Sequence, residues 1–210
     1  MNQASELSRI LRSICASFEK PVIVILLIIL ACTLVLLGTL IAEIITERRH
    51  LRVWVPKLID EIKKQDVPPA LCIKRSGLLK RQKIALIEVT DHKDVTDAMR
   101  ESLAIRLVDE AKGRCETIVK LSDLIIRIGP VFGLLGTLIP LGPGIIALGQ
   151  GDTLTLSQSL LTAFDTTIVG LVCAAIATVI SIVRKRWYSN DISVLETLME
   201  CVLEVEKKDA

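Results

Sequence analysis

The chain has 210 residues, of which 51% are apolar, 3% aromatic and 24% charged, and its formal net charge is +2. That much apolar content excludes an intrinsically disordered chain. The apolar residues are also not scattered in the short periodic runs of a soluble core; they gather in three long blocks.

Residues 1–20 place Leu7, Ile10, Leu11, Ile14 and Phe18 on one helical face, the pattern of an amphipathic helix lying in the headgroup region. The first block, PVIVILLIILACTLVLLGTLIA, holds 22 uncharged residues between Lys20 and Glu43. At about 1.5 Å per residue it crosses a hydrocarbon core of about 30 Å, which predicts a transmembrane helix over 21–46. It is too long for the apolar core of a signal peptide, and Ala42-Glu43 offers no small-residue cleavage site, so it is expected to stay in the mature protein.

Residues 47–123 alternate charges with Leu, Ile and Val, and Pro56, Pro68 and Pro69 divide them into short helical pieces with a hinge at Val67-Pro68-Pro69. From Asp94 to Pro130 there is no proline, and Leu103, Leu107, Ala111, Ile118, Leu121 and Ile125 keep helical spacing. With Asp94 or Thr96 as its cap, this helix is expected to run directly into a second span over 124–150. An outer loop over 151–159 leads to a third span over 160–183, interrupted by Asp165. In the tail, 184–210, Ile192, Leu195, Leu198, Val202 and Val205 again recur helically. The predicted fold is all-α integral membrane: three transmembrane helices, with long helices extending into a cytoplasmic helical bundle.

Lys and Arg are retained on the cytoplasmic side. The 47–123 segment, opening with Arg48-Arg49, carries 17 of the 26 basic residues, and Arg184-Lys185-Arg186 follows the third span at once, whereas GQGDTLTLSQS has no Lys or Arg. The chain is therefore expected in the cell membrane with its N-terminus outside and its C-terminus in the cytoplasm, Trp187 and Tyr188 serving as an interfacial anchor. The six cysteines form no CxxC and have no His partner at ligand spacing, so they read as small buried hydrophobes, and no metal or cofactor is expected. Only His50 and His92 are present, with no HExxH, GxSxG or paired intramembrane carboxylates, so an enzyme is not expected. The run Lys80-Arg81-Gln82-Lys83 has no aromatics nearby for stacking and reads as a membrane-facing surface, not a nucleic-acid site.

Seven of the eleven glycines and three of the seven prolines fall in GPVFGLLGTLIPLGPGIIALGQG, residues 129–151. Gly129, Gly133 and Gly136 form a ridge that admits another helix backbone, and Pro140 and Pro143 free carbonyls that must find protein or water. The third span carries a stripe of small residues, Ser159, Thr162, Thr166, Gly170, Cys173, Ala177 and Ser181, which reads as a packing seam or as a conduit. Asp165 costs about 2.5–3.5 kcal/mol to insert at a span's centre. It either reaches headgroup water or accepts a proton or cation facing a hydrated pore. Glu43, close to Arg48-Arg49, reads as interfacial.

The string Gly129-Pro130-Val131-Phe132-Gly133-Leu134-Leu135-Gly136-Thr137-Leu138 resembles the second-span signature of the MotA/TolQ/ExbB proton-channel family, (A/G)P-x-x-GLLGTV. Thr162-Ala163-Phe164-Asp165-Thr166-Thr167-Ile168-Val169-Gly170-Leu171 is similar to its third-span pattern, E-A-L-x-x-T-x-x-G-L, and three spans match the TolQ/ExbB branch better than MotA. The resemblance implies a homopentamer around a pore lined by spans two and three. It also implies a single-span partner like ExbD or TolR, whose intramembrane Asp sits within the ring, and matches Thr137 and Thr167 to the family's pore threonines. Where many members have a glutamate, this chain has Thr162, its carboxylate following at Asp165. The candidate ion pathway is Thr137, Thr167, Asp165, Thr166 and Thr162; the candidate helix-packing positions are Gly129, Gly133, Gly136, Gly170 and Pro140. The glycine, threonine and Asp165 surfaces are expected to face a shared wet axis between subunits. The expected function is a pore-forming subunit of a proton- or Na⁺-driven motor or energy transducer; the alternative is a passive membrane scaffold.

Overall fold

The computed structural model describes residues 2–48, 55–63, 69–91 and 96–208, and every regular element among them is helical. In chain order these are α1 (Asn2–Ser17), α2 (Glu19–Glu43) with a π-helical turn (Ile44–Arg48), α3 (Val55–Lys63), α4 (Pro69–Arg75), α5 (Lys80–Asp91), α6 (Asp97–Gly149) and α7 (Thr153–Lys208). The expectations for Arg49, His50, Val67-Pro68, His92 and Asp94 lie outside the described residues.

Pro56 and Pro69 sit in the first turns of α3 and α4, where a missing N–H has no intrahelical bond to lose. α6 starts where Thr96 allows: its carbonyl accepts from the amides of Met99 and Arg100 at 2.9 and 3.0 Å, which makes it the N-cap. The helix then continues for 53 residues through Pro130, Pro140 and Pro143. Each proline deletes one rung of the ladder, a loss that neighbouring helices and local adjustment make tolerable in a membrane.

The structure differs from expectation at both ends of the third span. The connection to it is shorter than 151–159. α6 stops in a Schellman motif: the Asp152 amide donates to the Ala147 carbonyl at 2.9 Å and the Gly151 amide to that of Leu148 at 3.0 Å. Gly151 takes φ +81°, a left-handed value that a side chain would strain. Asp152 then caps α7, its carboxylate accepting from the Thr155 amide at 3.1 Å and the Thr155 hydroxyl at 2.5 Å. The span and the tail, expected as separate helices, form one helix of 56 residues, since 184–208 contains neither Gly nor Pro. At about 1.5 Å per residue both α6 and α7 are more than twice as long as a bilayer core is thick.

The chain divides into two compact units, Met1–Thr39 with Lys120–Ile182, and Leu40–Val119 with Val183–Ala210. In the first, α2 buries a single stripe, Val22, Leu26, Ile29, Thr33 and Leu36, while Val24, Leu27, Ile28, Leu34 and Val35 stay about half exposed or more. α6 and α7 likewise expose Val131, Leu134, Leu138, Ile168, Val179 and Ile182. Water would not tolerate so much contiguous apolar surface on a monomer, whereas acyl chains are its natural solvent. Three helices among the described residues are long and apolar enough to cross a membrane, and the chain is an all-α integral membrane protein. α1 exposes Leu7, Ile10, Leu11 and Ile14, and Cys15 is exposed with them. That corrects the expectation of uniformly buried cysteines, although Cys173 and Cys201 are buried.

The second unit has its own core. Leu58 and Ile62 of α3, Ile73 of α4, Leu86 and Val89 of α5, Ala104 and Val108 of α6, and Leu195, Leu198, Val202 and Val205 of α7 cluster together. Gln82 fixes the start of α5, accepting from the Leu79 amide at 3.2 Å and donating to the Asp191 carbonyl at 2.8 Å.

Candidate functional site

The site is the line along which α6 and α7 meet within the first unit, and it is built on the absence of side chains. A Cβ at Gly170 would lie 2.5 Å from the Gly129 carbonyl oxygen and 3.0 Å from the Gly133 Cα; one at Gly129 would lie 2.9 Å from the Gly170 carbonyl oxygen. One turn along, a Cβ at Gly136 would stand 2.6 Å from both Cβ and Oγ1 of Thr166. Backbone meets backbone at this seam, so Gly129, Gly133, Gly136 and Gly170 spend their surfaces on contacts inside one chain. The expectation that the glycine surfaces face an axis between subunits is corrected here.

Thr166 shares that fate. It is 9% exposed, and its hydroxyl donates back into α7, to the carbonyls of Ala163 at 2.9 Å and Thr162 at 3.1 Å. Its neighbours diverge. Successive residues turn by about 100°, so with Thr166 on the seam, Asp165 and Thr167 project to opposite sides of the helix pair. Thr167 is half-buried, its hydroxyl donating to Ala163 at 3.2 Å and reaching the Gly133 carbonyl across the seam at 3.5 Å. Thr137 follows Gly136 just as Thr167 follows Thr166, and because the helices run antiparallel it emerges on the Thr167 side. Its hydroxyl donates to the Leu134 carbonyl at 2.7 Å. Asp165 is exposed on the other side, among the exposed Leu161, Phe164 and Ile168. The structure thus brings Thr137 and Thr167 to one side and holds Asp165 apart from them.

Thr162 lines a narrow crevice with Glu19, Val22, Ile23, Gly136, Ile139 and Pro140, its hydroxyl donating to the Gln158 carbonyl at 3.1 Å. Pro140 is buried there. The hydroxyls of Thr137 and Thr162 donate within their own helices and that of Thr167 within α7 or across the seam, which leaves the oxygen lone pairs of these three to accept from water or a hydrated ion.

Two polar groups were not foreseen. In the first unit, Ser181, 3% exposed, donates to the Asp123 carboxylate at 2.6 Å. In the second, Arg184 is 3% exposed and lies 3.6 Å from Glu43, whose carboxylate also receives the Tyr188 hydroxyl at 3.4 Å. Burial, then the Glu43 charge, pushes the Tyr188 phenol up to about 12. Glu43 is thus a partner for Arg184 and for the half-buried Tyr188. The only sequence signal for this pair is that each charge terminates an uncharged block. Elsewhere, the Glu196 carboxylate, by hydrogen bond and charge, raises the exposed Lys112 amine above its usual value. Burial, above all, raises the Cys115 thiol. The Thr155 hydroxyl and amide hold Asp152 below the usual carboxylate range.

Three lipid-length helices, two of them joined by a glycine seam flanked on one side by Thr137 and Thr167, define a polytopic helical membrane protein. Residues 73–197 match the MotA/TolQ/ExbB proton channel family, and the chain belongs to that family. The match covers the seam, Asp123, Ser181 and the Glu43 partners Arg184 and Tyr188. Comparison with curated proteins finds no match.

Proposed function

We propose that this chain is the pore-forming subunit of a proton- or Na⁺-driven energy transducer, assembled as a homopentamer around a single-span, Asp-bearing partner of the ExbD/TolR kind. The observation that carries the reading is the convergence of Thr137 and Thr167 on one side of α6 and α7, in a chain of a proton-channel family. In this reading that side faces the ring's axis, where the two hydroxyl oxygens replace part of an ion's hydration beside the partner's carboxylate. Asp165, on the far side of α7, places negative charge at the outer mouth against the neighbouring subunit and raises the local cation concentration there. Each charge that crosses releases about 2.3 kcal/mol per 100 mV, and that work moves the partner. The positive-inside distribution supports an outer N-terminus and a cytoplasmic second unit. The tight glycine seam on its own equally suits a passive scaffold.

Proton flux into pyranine-loaded vesicles, made from membranes holding the chain with its native partners, tests the reading. Thr137→Val and Thr167→Val remove a hydroxyl while keeping shape, and both are expected to abolish flux with the oligomer intact. Asp165→Asn is expected to slow it. Wild-type flux in both valine variants, or none in the wild type, would assign the chain to the scaffold class.

A further inference from the structure

The basic run Lys80-Arg81-Gln82-Lys83 is part of a larger patch in the second unit. Residues 69–83 hold five cations, Lys74, Arg75, Lys80, Arg81 and Lys83, and no acid. α4 and α5 pack together, and the Lys83 ammonium donates to the Lys74 carbonyl at 3.0 Å, which sets the end of one helix beside the start of the other. Lys74, Arg75, Lys80 and Arg81 are exposed, and none of these four makes an ion pair among the described residues. Apolar side chains share their faces: Leu71 precedes Lys74 and Arg75 by three and four residues, and Ile84 follows Arg81 and Lys80 by three and four. Both are about half exposed or more.

Such a patch is unfavourable in isolation. Its like charges repel one another, and α5 carries each sign at the end that its dipole disfavours, cations in the first turn and Glu88 and Asp91 toward the last. A negative surface at the Lys80 end relieves both, and the height of the patch along α7 identifies that surface. Gln82 donates to the Asp191 carbonyl at 2.8 Å, so the patch is level with Asp191. Arg184 is the first charge after Asp165, and it lies 3.6 Å from Glu43, the first charge after the 22-residue uncharged block. Two spans therefore end at one level. From Arg184 to Asp191 is seven residues of α7, about 10 Å, and a headgroup layer fills about 5–8 Å beyond the hydrocarbon. Lys and Arg stems close the remainder by snorkelling.

We propose that Lys74, Arg75, Lys80 and Arg81, with Leu71 and Ile84 beside them, are a docking surface for the anionic phospholipid headgroups of the leaflet that borders the second unit, and that they tie α4 and α5 to the membrane. Each cation close to an anionic leaflet strengthens the attachment by about fivefold. The surface follows from the spans alone and does not depend on whether the chain conducts ions.

Lysine labelling by a water-soluble ester tests it on the full chain, reconstituted in nanodiscs of phosphatidylcholine alone or of an equal mixture with phosphatidylglycerol. Lys74 and Lys80 are expected to react at least about fivefold more slowly in the anionic discs, a protection that molar salt removes. Lys207, exposed and sixteen residues beyond Asp191 on α7, is expected to keep its rate. Reversing two charges, Arg75→Glu with Arg81→Glu, is expected to abolish the protection of Lys74 and Lys80. Equal rates for the wild type in the two kinds of disc overturn the proposal, and that comparison decides even where the reversed variant fails to fold. Full protection in a folded reversed variant overturns it too, because nearness to the bilayer would then act without the patch. Protection found in native membranes but absent from the anionic discs also overturns it, and assigns the patch to an acidic protein.

Discussion

Replacing Gly170 with alanine measures how closely α6 and α7 are seated. The added Cβ would stand 2.5 Å from the Gly129 carbonyl oxygen, 3.0 Å from the Gly133 Cα and 3.2 Å from its nitrogen. All three are backbone atoms, so no rotamer change can make room. Comfortable separations are about 3.5–4.0 Å, so the helices must part by roughly 0.5–1 Å, which forfeits a quarter to a half of the dispersion well for every pair across the seam. Overpacking of this kind costs about 1–3 kcal/mol. Gly38, in α2, is the matched control: a Cβ there meets nothing within 4 Å, so alanine should gain about 0.5–1 kcal/mol from chain entropy alone. The two variants are therefore expected to differ by roughly 1.5–4 kcal/mol. Reversible SDS titration in mixed micelles reads the difference. Equal stability, within about 0.5 kcal/mol, would refute the close approach.

Glu43→Gln removes the carboxylate that lies 3.6 Å from the buried Arg184, and should destabilise by about 1–3 kcal/mol in the same titration. Glu196→Ala, which breaks the solvated 2.9 Å pair with Lys112, should cost under about 1 kcal/mol. The Tyr188 phenol, pushed up to about 12, keeps its proton in the folded chain at pH values where an unfolded tyrosine has lost it. Its contribution is therefore complete below about pH 10 and is lost as pH rises toward 12; absorbance titration at the tyrosinate band should show the late ionisation, and Glu43→Gln should move it downward only in part, since burial is the larger cause. Asp152→Ala should speed hydrogen exchange over 153–156, and the wild type should show the same loss as acid protonates Asp152, because a depressed carboxylate stabilises only above its folded value.

The spans were legible because uncharged length is a one-dimensional property: a run from Pro21 to Ala42 needs no tertiary knowledge to be recognised. The continuity of α6 was legible for the same reason, since nothing between Thr96 and Pro130 ends a helix. The extent of the connection after Gly151 is less legible, because the hydroxyl and amide side chains between Thr153 and Ser159 suit a loop as well as a helix; the Asp152 cap and the Thr155 hydroxyl make that stretch the first turns of α7. Which face of each helix meets which neighbour was only half legible. The ridge Gly129, Gly133 and Gly136 announces a close approach but not its partner, and only the register that sets Gly136 against Thr166 separates Thr167 from Asp165. The pairs Asp123 with Ser181 and Glu43 with Arg184 join residues remote in sequence, and no periodicity carries them.

Aqueous access at the two threonines tests the central claim most directly. In native membranes, in a chain freed of its six cysteines, single substitutions Thr137→Cys and Thr167→Cys should react with a small water-borne thiosulfonate far faster than Val35→Cys or Val179→Cys on the apolar surface. Slow labelling at 137 and 167, no faster than at those lipid-facing positions, would show that this side of α6 and α7 borders no water and would contradict the account.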